Sequence, residues 1–244
     1  MASRAIRVAI FDLDDTLYDC LGQRVRRAHL QAARALAKAG VPASAQSILR
    51  VRMNMLEREP RLEPMDREVC CRFGVPFTAR LHELSRRAYF SAPVGRLRLF
   101  PGARPVLRRL HRLGVKVLVV SYGDPATQRS KVRALGLDRE PAVDGISYAD
   151  TDKITTKAAL FRRLLRRLGG PPASFLVVGD KPSSEIRAGK RLGMRTVRMR
   201  HGEFARIEAA TRHEQADFEI RSIRQLLTLP FHFESAGAGR RTRG

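Results

Sequence analysis

The sequence has few cysteines and no long apolar run, and both absences narrow the class of protein. Only 3 cysteines occur among 244 residues, and no CxxC pair is present. This sparse, odd count argues against a disulfide scaffold and is typical of the reduced cytosol. No apolar run approaches the length of a membrane span, and charges at Arg7, Asp12 and Asp14 interrupt the early apolar run where a signal peptide would lie. The sequence therefore predicts a cytoplasmic protein without a membrane partner.

Acidic residues are scarce as well, with 24 Asp and Glu against 47 Lys and Arg, which gives a formal net charge of +23. A charge of this size occurs in nucleic-acid-binding proteins. Here, however, the arginines are spread over nearly every predicted helix, and no basic stripe is interleaved with aromatic residues. We interpret the charge as a solvated basic surface that attracts small anions. A non-enzymatic protein that binds nucleic acid or another polyanion is the alternative interpretation.

Short β-branched segments alternate with amphipathic segments along most of the chain. The predicted strands cover residues 6–11, 115–121, 144–150, 174–180, 194–200 and 217–220, and the predicted helices cover 105–113, 126–135, 157–168 and 183–192. Alternation of this kind is typical of right-handed βαβ units. The sequence therefore predicts an α/β fold, with a Rossmann-like parallel sheet covered by helices on both faces.

One long segment, residues 21–97, interrupts the alternation because it contains no convincing strand. It has the pattern of several helices separated by the stretches GVPAS, EPRLEP and FGVPFT. We predict an all-helical domain inserted after the first strand, with residues 1–20 and 98–234 forming the core. The basic end of the chain, residues 235–244, is predicted to be a flexible tail.

Polar residues follow the predicted strands at the points where the strands end. In an open parallel sheet these ends share one edge, and ligands bind there near a switch in strand order. Carboxylates from two different strands, Asp12 and Asp180, would repel each other at this edge unless a cation lay between them. Mg²⁺ suits a site with carboxylates and a phosphorylated substrate. Asp12 could then act as a nucleophile, and Asp14 could exchange protons with the leaving group and with water.

The other strand ends carry groups that can bind a phosphoryl group. Ser121 and the backbone N–H groups of Tyr122 and Gly123 would donate to its oxygens, and Lys157 would offset their charge. Phosphoryl transfer requires little beyond such positioning and charge neutralisation.

The segments DLDDTLYD and VVGDKPSSE, together with the Ser at the end of KVLVVS and a downstream Lys, resemble the haloacid dehalogenase superfamily. The resemblance implies that Asp12 is the nucleophile and a Mg²⁺ ligand. It implies that Asp14 is the acid/base and that its backbone carbonyl also binds the metal. By the same resemblance the inserted helical segment has the position of the family's cap domain.

The remaining family motifs match other positions of the chain. Ser121 matches the second motif, Lys157 is our choice for the third, and Gly179, Asp180 and Glu185 match the fourth. Asp180 is then a metal ligand, with Glu185 close to the metal. The sequence around the lysine, TDKITTKAALF, lacks the family's common KPxP pattern. Lys153 is therefore the competing choice for the third motif.

The resemblance implies a Mg²⁺-dependent phosphate monoester hydrolase that forms an aspartyl phosphate and acts on a small phosphorylated metabolite. The family's dehalogenases lack an acid at the position of Asp14, so phosphate chemistry is favoured here. A phosphosugar mutase of the same superfamily is the alternative enzyme. The sequence leaves the substrate and the oligomeric state open; Arg24, Arg27 and Arg52 of the inserted segment are candidates for contacting an anionic substrate.

Overall fold

A computed structural model describes residues 5–58, 65–149 and 156–236. The chain divides into two compact units. The core unit consists of Met1–Asp19 and Arg96–Gly244, and the helical unit consists of Cys20–Gly95. Lys153 and residues 237–244 of the predicted tail lie outside the described residues.

The described residues of the core unit form six strands in one sheet. They are β1 (Val8–Phe11), β2 (Lys116–Tyr122), β3 (Gly145–Ala149), β4 (Phe175–Gly179), β5 (Arg195–Met199) and β6 (Phe218–Ile220). Their order is β3-β2-β1-β4-β5-β6, and every neighbouring pair is parallel. The predicted parallel α/β fold is confirmed. Because β1 lies between β2 and β4, the switch in strand order falls at the end of β1.

The α-helices of the described residues follow in chain order. They are α1 (Arg26–Lys38), α2 (Ala45–Arg58), α3 (Met65–Arg72), α4 (Ala79–Phe90), α5 (Ala103–Arg112), α6 (Pro125–Ala134), α7 (Lys157–Leu168) and α8 (Arg187–Arg191). The predicted helix at 183–192 is instead a π-helical turn, Pro182–Ile186, followed by the short α8. None of the helices among the described residues is long and apolar enough to cross a membrane.

Both faces of the sheet are buried, as its sequence requires. Ile10 of β1 and Val177 of β4 belong to one apolar cluster with Leu160 and Phe161 of α7. Ala9, the neighbour of Ile10 in the chain, is also buried. Because successive side chains of a strand point to opposite faces, the sheet is covered on both faces at β1. A strand that is apolar at every position is expected at the centre of a parallel sheet.

The chain leaves and re-enters the core unit at adjacent points. The N–H of Phe100 donates to the carbonyl oxygen of Leu17 at 2.9 Å. Tyr18 forms an antiparallel bridge with Leu99. The two ends of the insertion are thus tied together by backbone contacts within the core unit.

The first two residues of the predicted tail, Ser235 and Ala236, have hydrogen-bond partners in the core unit. The carbonyl oxygen of Ser235 accepts a hydrogen bond from Arg7 Nε at 3.3 Å. The N–H of Ala236 donates to the carbonyl oxygen of Gly114 at 2.9 Å. The first two residues of the predicted tail are therefore attached to the core unit, since they have backbone partners that composition alone does not reveal.

The helical unit has its own apolar core and a buried polar cluster. Its apolar core includes Ala33, Leu36, Ile48, Leu49 and Val69. In the polar cluster, Arg52 forms an ion pair with Asp66 and donates to His29 Nδ1 at 3.0 Å and to Ser85 Oγ at 3.2 Å. Burial and then the charge of Arg52 lower the pKa of His29 to about 3, so its ring is neutral and can accept this bond.

These contacts change the set of arginines that could bind an anionic substrate. Arg52 is buried and its guanidinium is engaged by side chains of its own unit. Arg24 is buried as well, with its guanidinium carbon 5.8 Å from the ring centroid of Tyr89. Of the three candidates only Arg27 is exposed.

Replacing Asp66 with alanine should destabilise the helical unit strongly. The substitution removes the carboxylate that Arg52 and Ser85 contact and leaves a buried guanidinium without its counter-charge. Breaking a buried pair in this way lowers the free energy of unfolding by about 3–5 kcal/mol. Urea unfolding followed by circular dichroism measures the change.

The matched control is Glu83→Ala, which removes another paired carboxylate of the same unit. Glu83 binds Arg86 and Arg87 at the exposed surface of α4. Exposed pairs of this kind contribute little to stability, so the midpoint of unfolding should hardly move. Equal shifts of the unfolding midpoint for the two variants would show that the buried cluster contributes no more to stability than the exposed pairs of Glu83.

Candidate active site

The end of β1 places Asp12 in a buried, charged position. Its N–H donates to the carbonyl oxygen of Val178 at 2.8 Å, so the segment stays in register with β4 beyond the strand. The carboxylate of Asp12 forms an ion pair with the ammonium group of Lys157. Lys157 also donates to Glu185 Oε2 at 2.9 Å. The predicted first, third and fourth motifs therefore meet within one set of contacts.

Lys157 reaches this position because α7 begins at it. The hydroxyl oxygen of Thr156 accepts a hydrogen bond from the N–H of Ala159 at 3.2 Å, which caps the helix. The side chain of Lys157 is only 7% exposed. Burial lowers the pKa of its ammonium group, but the charges of Asp12 and Glu185 outweigh burial and raise the pKa above its usual value. Lys157 is therefore a fixed positive charge.

Three carboxylates converge around this lysine. Oxygens of Asp12, Asp180 and Glu185 lie within 4.8 Å of one another, and all three residues are buried. Burial raises the pKa of Asp12 to about 7, against the opposing effect of Lys157. The pKa of Asp180 is raised well above its usual value by burial and then by the charges of Glu185 and Asp12. One ammonium group does not balance three carboxylates, so the residues fit a divalent cation with oxygen ligands.

Gly179 allows Glu185 to approach the end of β4. A Cβ atom at Gly179 would clash with the Cγ of Glu185. The N–H of Lys181 donates to Glu185 Oε1 at 2.8 Å, which fixes the side chain within the π-helical turn. Such turns are frequent at functional sites. The glycine of the fourth motif thus has a packing reason in this chain.

Asp14 follows Asp12 by two residues, but its carboxylate has other partners. Tyr18 Oη donates to Asp14 Oδ1 at 2.7 Å. Lys131 Nζ and Gln128 Nε2 both donate to Oδ2, at 2.7 Å and 3.1 Å. Burial would raise the pKa of Asp14, but Lys131 and these hydrogen bonds lower it to about 2. Asp14 is therefore held as a carboxylate at neutral pH.

The end of β2 carries the predicted phosphate-binding residues. The hydroxyl of Ser121 is buried and accepts a hydrogen bond from Gln128 Nε2 at 2.8 Å. The side chain of Tyr122 is half exposed. The N–H of Gly123 was predicted to donate to a phosphoryl oxygen. It instead donates to the carbonyl oxygen of Ala149 at 3.1 Å.

Three residues that contact Asp14 were absent from the predicted site: Tyr18, Gln128 and Lys131. Gln128 and Lys131 are buried on α6, on the side that also buries Val132. The i, i+3, i+4 spacing of Gln128, Lys131 and Val132 is the one signal in the sequence that could have placed them inward.

A second group, Asp15, Asp19 and His201, also brings possible metal ligands together in the core unit.

Comparisons with known proteins agree with this arrangement. A family model described as haloacid dehalogenase-like hydrolase matches residues 6–193. A protein of Methanopyrus kandleri named glyceraldehyde 3-phosphate phosphatase is 30% identical over 228 residues, which are 91% of this chain and 96% of that protein.

Solved structures share the fold at lower identity. A predicted phosphoglycolate phosphatase from Haemophilus somnus has a TM-score of 0.69 at 19% identity and covers 91% of this chain and 97% of its own. The HAD-hydrolase YfnB from Bacillus subtilis, bound to magnesium, has a TM-score of 0.64 at 19% identity and covers 92% of this chain and 98% of its own. The chain belongs to the haloacid dehalogenase-like hydrolases, as its motifs predict.

Proposed function

We propose that this hydrolase is a Mg²⁺-dependent phosphatase that cleaves small phosphate monoesters through an aspartyl phosphate on Asp12. One observation carries the proposal: Asp12, Asp180 and Glu185 converge around Lys157 at the switch point of the sheet. This arrangement supplies a carboxylate nucleophile, a fixed positive charge and oxygen ligands for a cation at one place.

In the first step an oxygen of Asp12 forms a bond to phosphorus, and the bond from phosphorus to the leaving oxygen breaks. Asp14 gives a proton to that oxygen. In the second step a water oxygen forms a bond to phosphorus, the Asp12–phosphorus bond breaks, and Asp14 accepts the proton of the water. The low pKa of Asp14 keeps it deprotonated at neutral pH, which is the form that the second step requires. For the first step Asp14 must bind a proton before the substrate reacts.

The other groups bind the phosphoryl oxygens. Ser121 donates its hydroxyl proton to one of them, and Lys157 offsets their charge while it holds Asp12. The carboxylates of Asp12 and Asp180 and the backbone carbonyl of Asp14 would hold Mg²⁺, with Glu185 beside them. The ion supplies charge neutralisation for the phosphoryl group and the carboxylates.

The substrate proposed first is glyceraldehyde 3-phosphate, because a relative that carries this substrate in its name aligns over nearly the whole of both chains. The helical unit is proposed as the cap that selects the substrate, and exposed Arg27 is its first candidate contact. We also propose a cytoplasmic location and no nucleic-acid partner.

The test is phosphate release from p-nitrophenyl phosphate and from glyceraldehyde 3-phosphate, with Mg²⁺ and with EDTA. We expect EDTA to lower the rate by at least about 100-fold, and added Mg²⁺ to restore it. Equal rates in EDTA and in Mg²⁺ would contradict the proposal. A phosphoryl group moved to another hydroxyl of the sugar phosphate, without free phosphate, would instead indicate the mutase. Steeply salt-dependent polyanion binding that survives Asp12→Asn, without turnover, would indicate the binding protein.

A further inference from the structure

The side chain of Gln128 connects two groups of the proposed mechanism. Its Nε2 lies 3.1 Å from Asp14 Oδ2, 2.8 Å from Ser121 Oγ and 2.7 Å from the carbonyl oxygen of Tyr122. Gln128 is 2% exposed. The two N–H bonds of this amide are shared among the three acceptors. A buried amide is costly to place unless it is hydrogen-bonded, so these contacts account for a glutamine on the inward side of α6.

The contacts determine which way the amide points. The carbonyl oxygen of Tyr122 can only accept, and Asp14 accepts as a carboxylate. The nitrogen of Gln128 must therefore face them, even though Oε1 then has no hydrogen-bond partner among the described residues. A rotated amide would set Oε1 against two acceptors.

This orientation also determines the direction of the bond to Ser121. Since Gln128 Nε2 can only donate, Ser121 Oγ accepts from it. The hydroxyl proton of Ser121 is then directed away from Gln128 and is available to a phosphoryl oxygen. One amide thus sets the polarity of the hydroxyl and helps Tyr18 and Lys131 to hold the carboxylate.

Gly123 makes room for this side chain. A Cβ atom at Gly123 would lie 3.2 Å from Gln128 Nε2, which is tighter than an ordinary contact, and the backbone there has a φ of +141°. Lys131, one turn further along α6, donates to the same Asp14 oxygen at 2.7 Å and supports the arrangement from the same helix.

We propose that Gln128 is a positioning residue that holds Asp14 in place and orients the hydroxyl of Ser121 towards the phosphoryl group. This inference rests on the proposed phosphatase function. It predicts two separable defects when the amide is removed: poorer activation of water, through Asp14, and weaker binding of a phosphoryl-like anion, through Ser121.

The test compares wild type with Gln128→Met, which keeps the side-chain volume and removes the donors, and with Gln128→Glu, which places an acceptor against acceptors. Wild type and variants are assayed with p-nitrophenyl phosphate and Mg²⁺. p-Nitrophenolate leaves without a proton, so the first step should be largely spared. The second step should slow, so that Gln128→Met gives a burst of p-nitrophenol followed by a kcat lowered about 100-fold. Gln128→Glu should be lower still.

Inhibition by orthovanadate measures the second defect. We expect Gln128→Met to weaken it about tenfold in the wild-type background, and to leave it unchanged in a Ser121→Ala background, where no hydroxyl is left to orient. Gln225→Met is the control for losing a hydrogen-bonded glutamine amide, because Gln225 Oε1 accepts backbone hydrogen bonds in another part of the core unit. It should keep the wild-type rate and inhibition.

Three outcomes would overturn the inference. The first is a Gln128→Met enzyme whose kcat and vanadate inhibition stay within about threefold of wild type. The second is an equal loss of vanadate inhibition in both backgrounds, without a burst, which would indicate a merely structural role. The third is a wild-type protein that neither releases phosphate nor binds vanadate, which would overturn the proposed function as well.

Discussion

Replacing Asp12 with asparagine should abolish phosphate release while leaving the fold intact. An amide oxygen cannot form the aspartyl phosphate, and loss of a nucleophile lowers kcat by about 10⁴-fold or more. The carboxylate of Asp12 is disfavoured by burial, which raises its pKa to about 7. Lys157 keeps the carboxylate of Glu185 as its counter-charge, so a neutral amide of the same size as Asp12 should cause little or no loss in the free energy of unfolding. Phosphate release from p-nitrophenyl phosphate and urea unfolding measure the two effects.

Asp138→Asn is the control for removing one carboxylate from the core unit. Asp138 is exposed in the turn after α6, so the variant should keep its turnover. Mg²⁺-dependent turnover by Asp12→Asn at more than a trace of the wild-type rate would refute the assignment of the nucleophile. Loss of activity together with loss of the native circular dichroism spectrum would be explained by unfolding instead.

Replacing Lys157 with methionine should reduce both stability and activity. The substitution leaves Asp12 and Glu185 buried without the ammonium group that lies between them. Removing one partner of a buried ion pair lowers the free energy of unfolding by about 3–5 kcal/mol. Loss of a charge that stabilises the transition state should lower kcat by about 10²–10³-fold.

Added Mg²⁺ should recover part of the lost stability, because a cation bound to the folded protein opposes the same carboxylate repulsion. Urea unfolding of Lys157→Met with and without Mg²⁺ measures this recovery. The control is Lys153→Met, which removes the competing lysine of the same segment. Since Lys157 already occupies the contacts with Asp12 and Glu185, Lys153→Met should retain stability and turnover. The reverse ranking of the two variants would assign the third motif to Lys153.

The parts of the site that follow strand ends were predictable from the sequence. Asp12, Ser121 and Asp180 come directly after or at the end of apolar strands, and parallel strands bring such ends to one edge of the sheet. The partners of Asp14 were not predictable in this way. Gln128 and Lys131 lie 114 and 117 residues further along the chain, on a helix whose polar residues have the pattern of a solvated surface. Their spacing with Val132 is a sequence signal for burial, but it does not identify Asp14 as their partner.

Polar residues of the helical unit illustrate the same limit. Arg52 is a residue type that can contact an anionic substrate. Its guanidinium is instead bound by Asp66, His29 and Ser85 from other parts of the unit. A sequence pattern of period 3.6 identifies the apolar side of a helix, but it does not identify which polar side chains have found buried partners. The N–H of Gly123 was predicted to bind a phosphoryl oxygen, whereas it donates to the carbonyl oxygen of Ala149.

Backbone contacts join Leu17 to Phe100 and Tyr18 to Leu99, so the core can accept a different inserted segment at this position. Because the two junctions are adjacent, an exchanged insert needs only neighbouring ends, and the entropy of closing a longer insert rises slowly with its length. Recombination at these junctions would replace the inserted segment as one module while every strand of the sheet keeps its neighbours. The catalytic core and the inserted segment can therefore diverge at different rates within one gene.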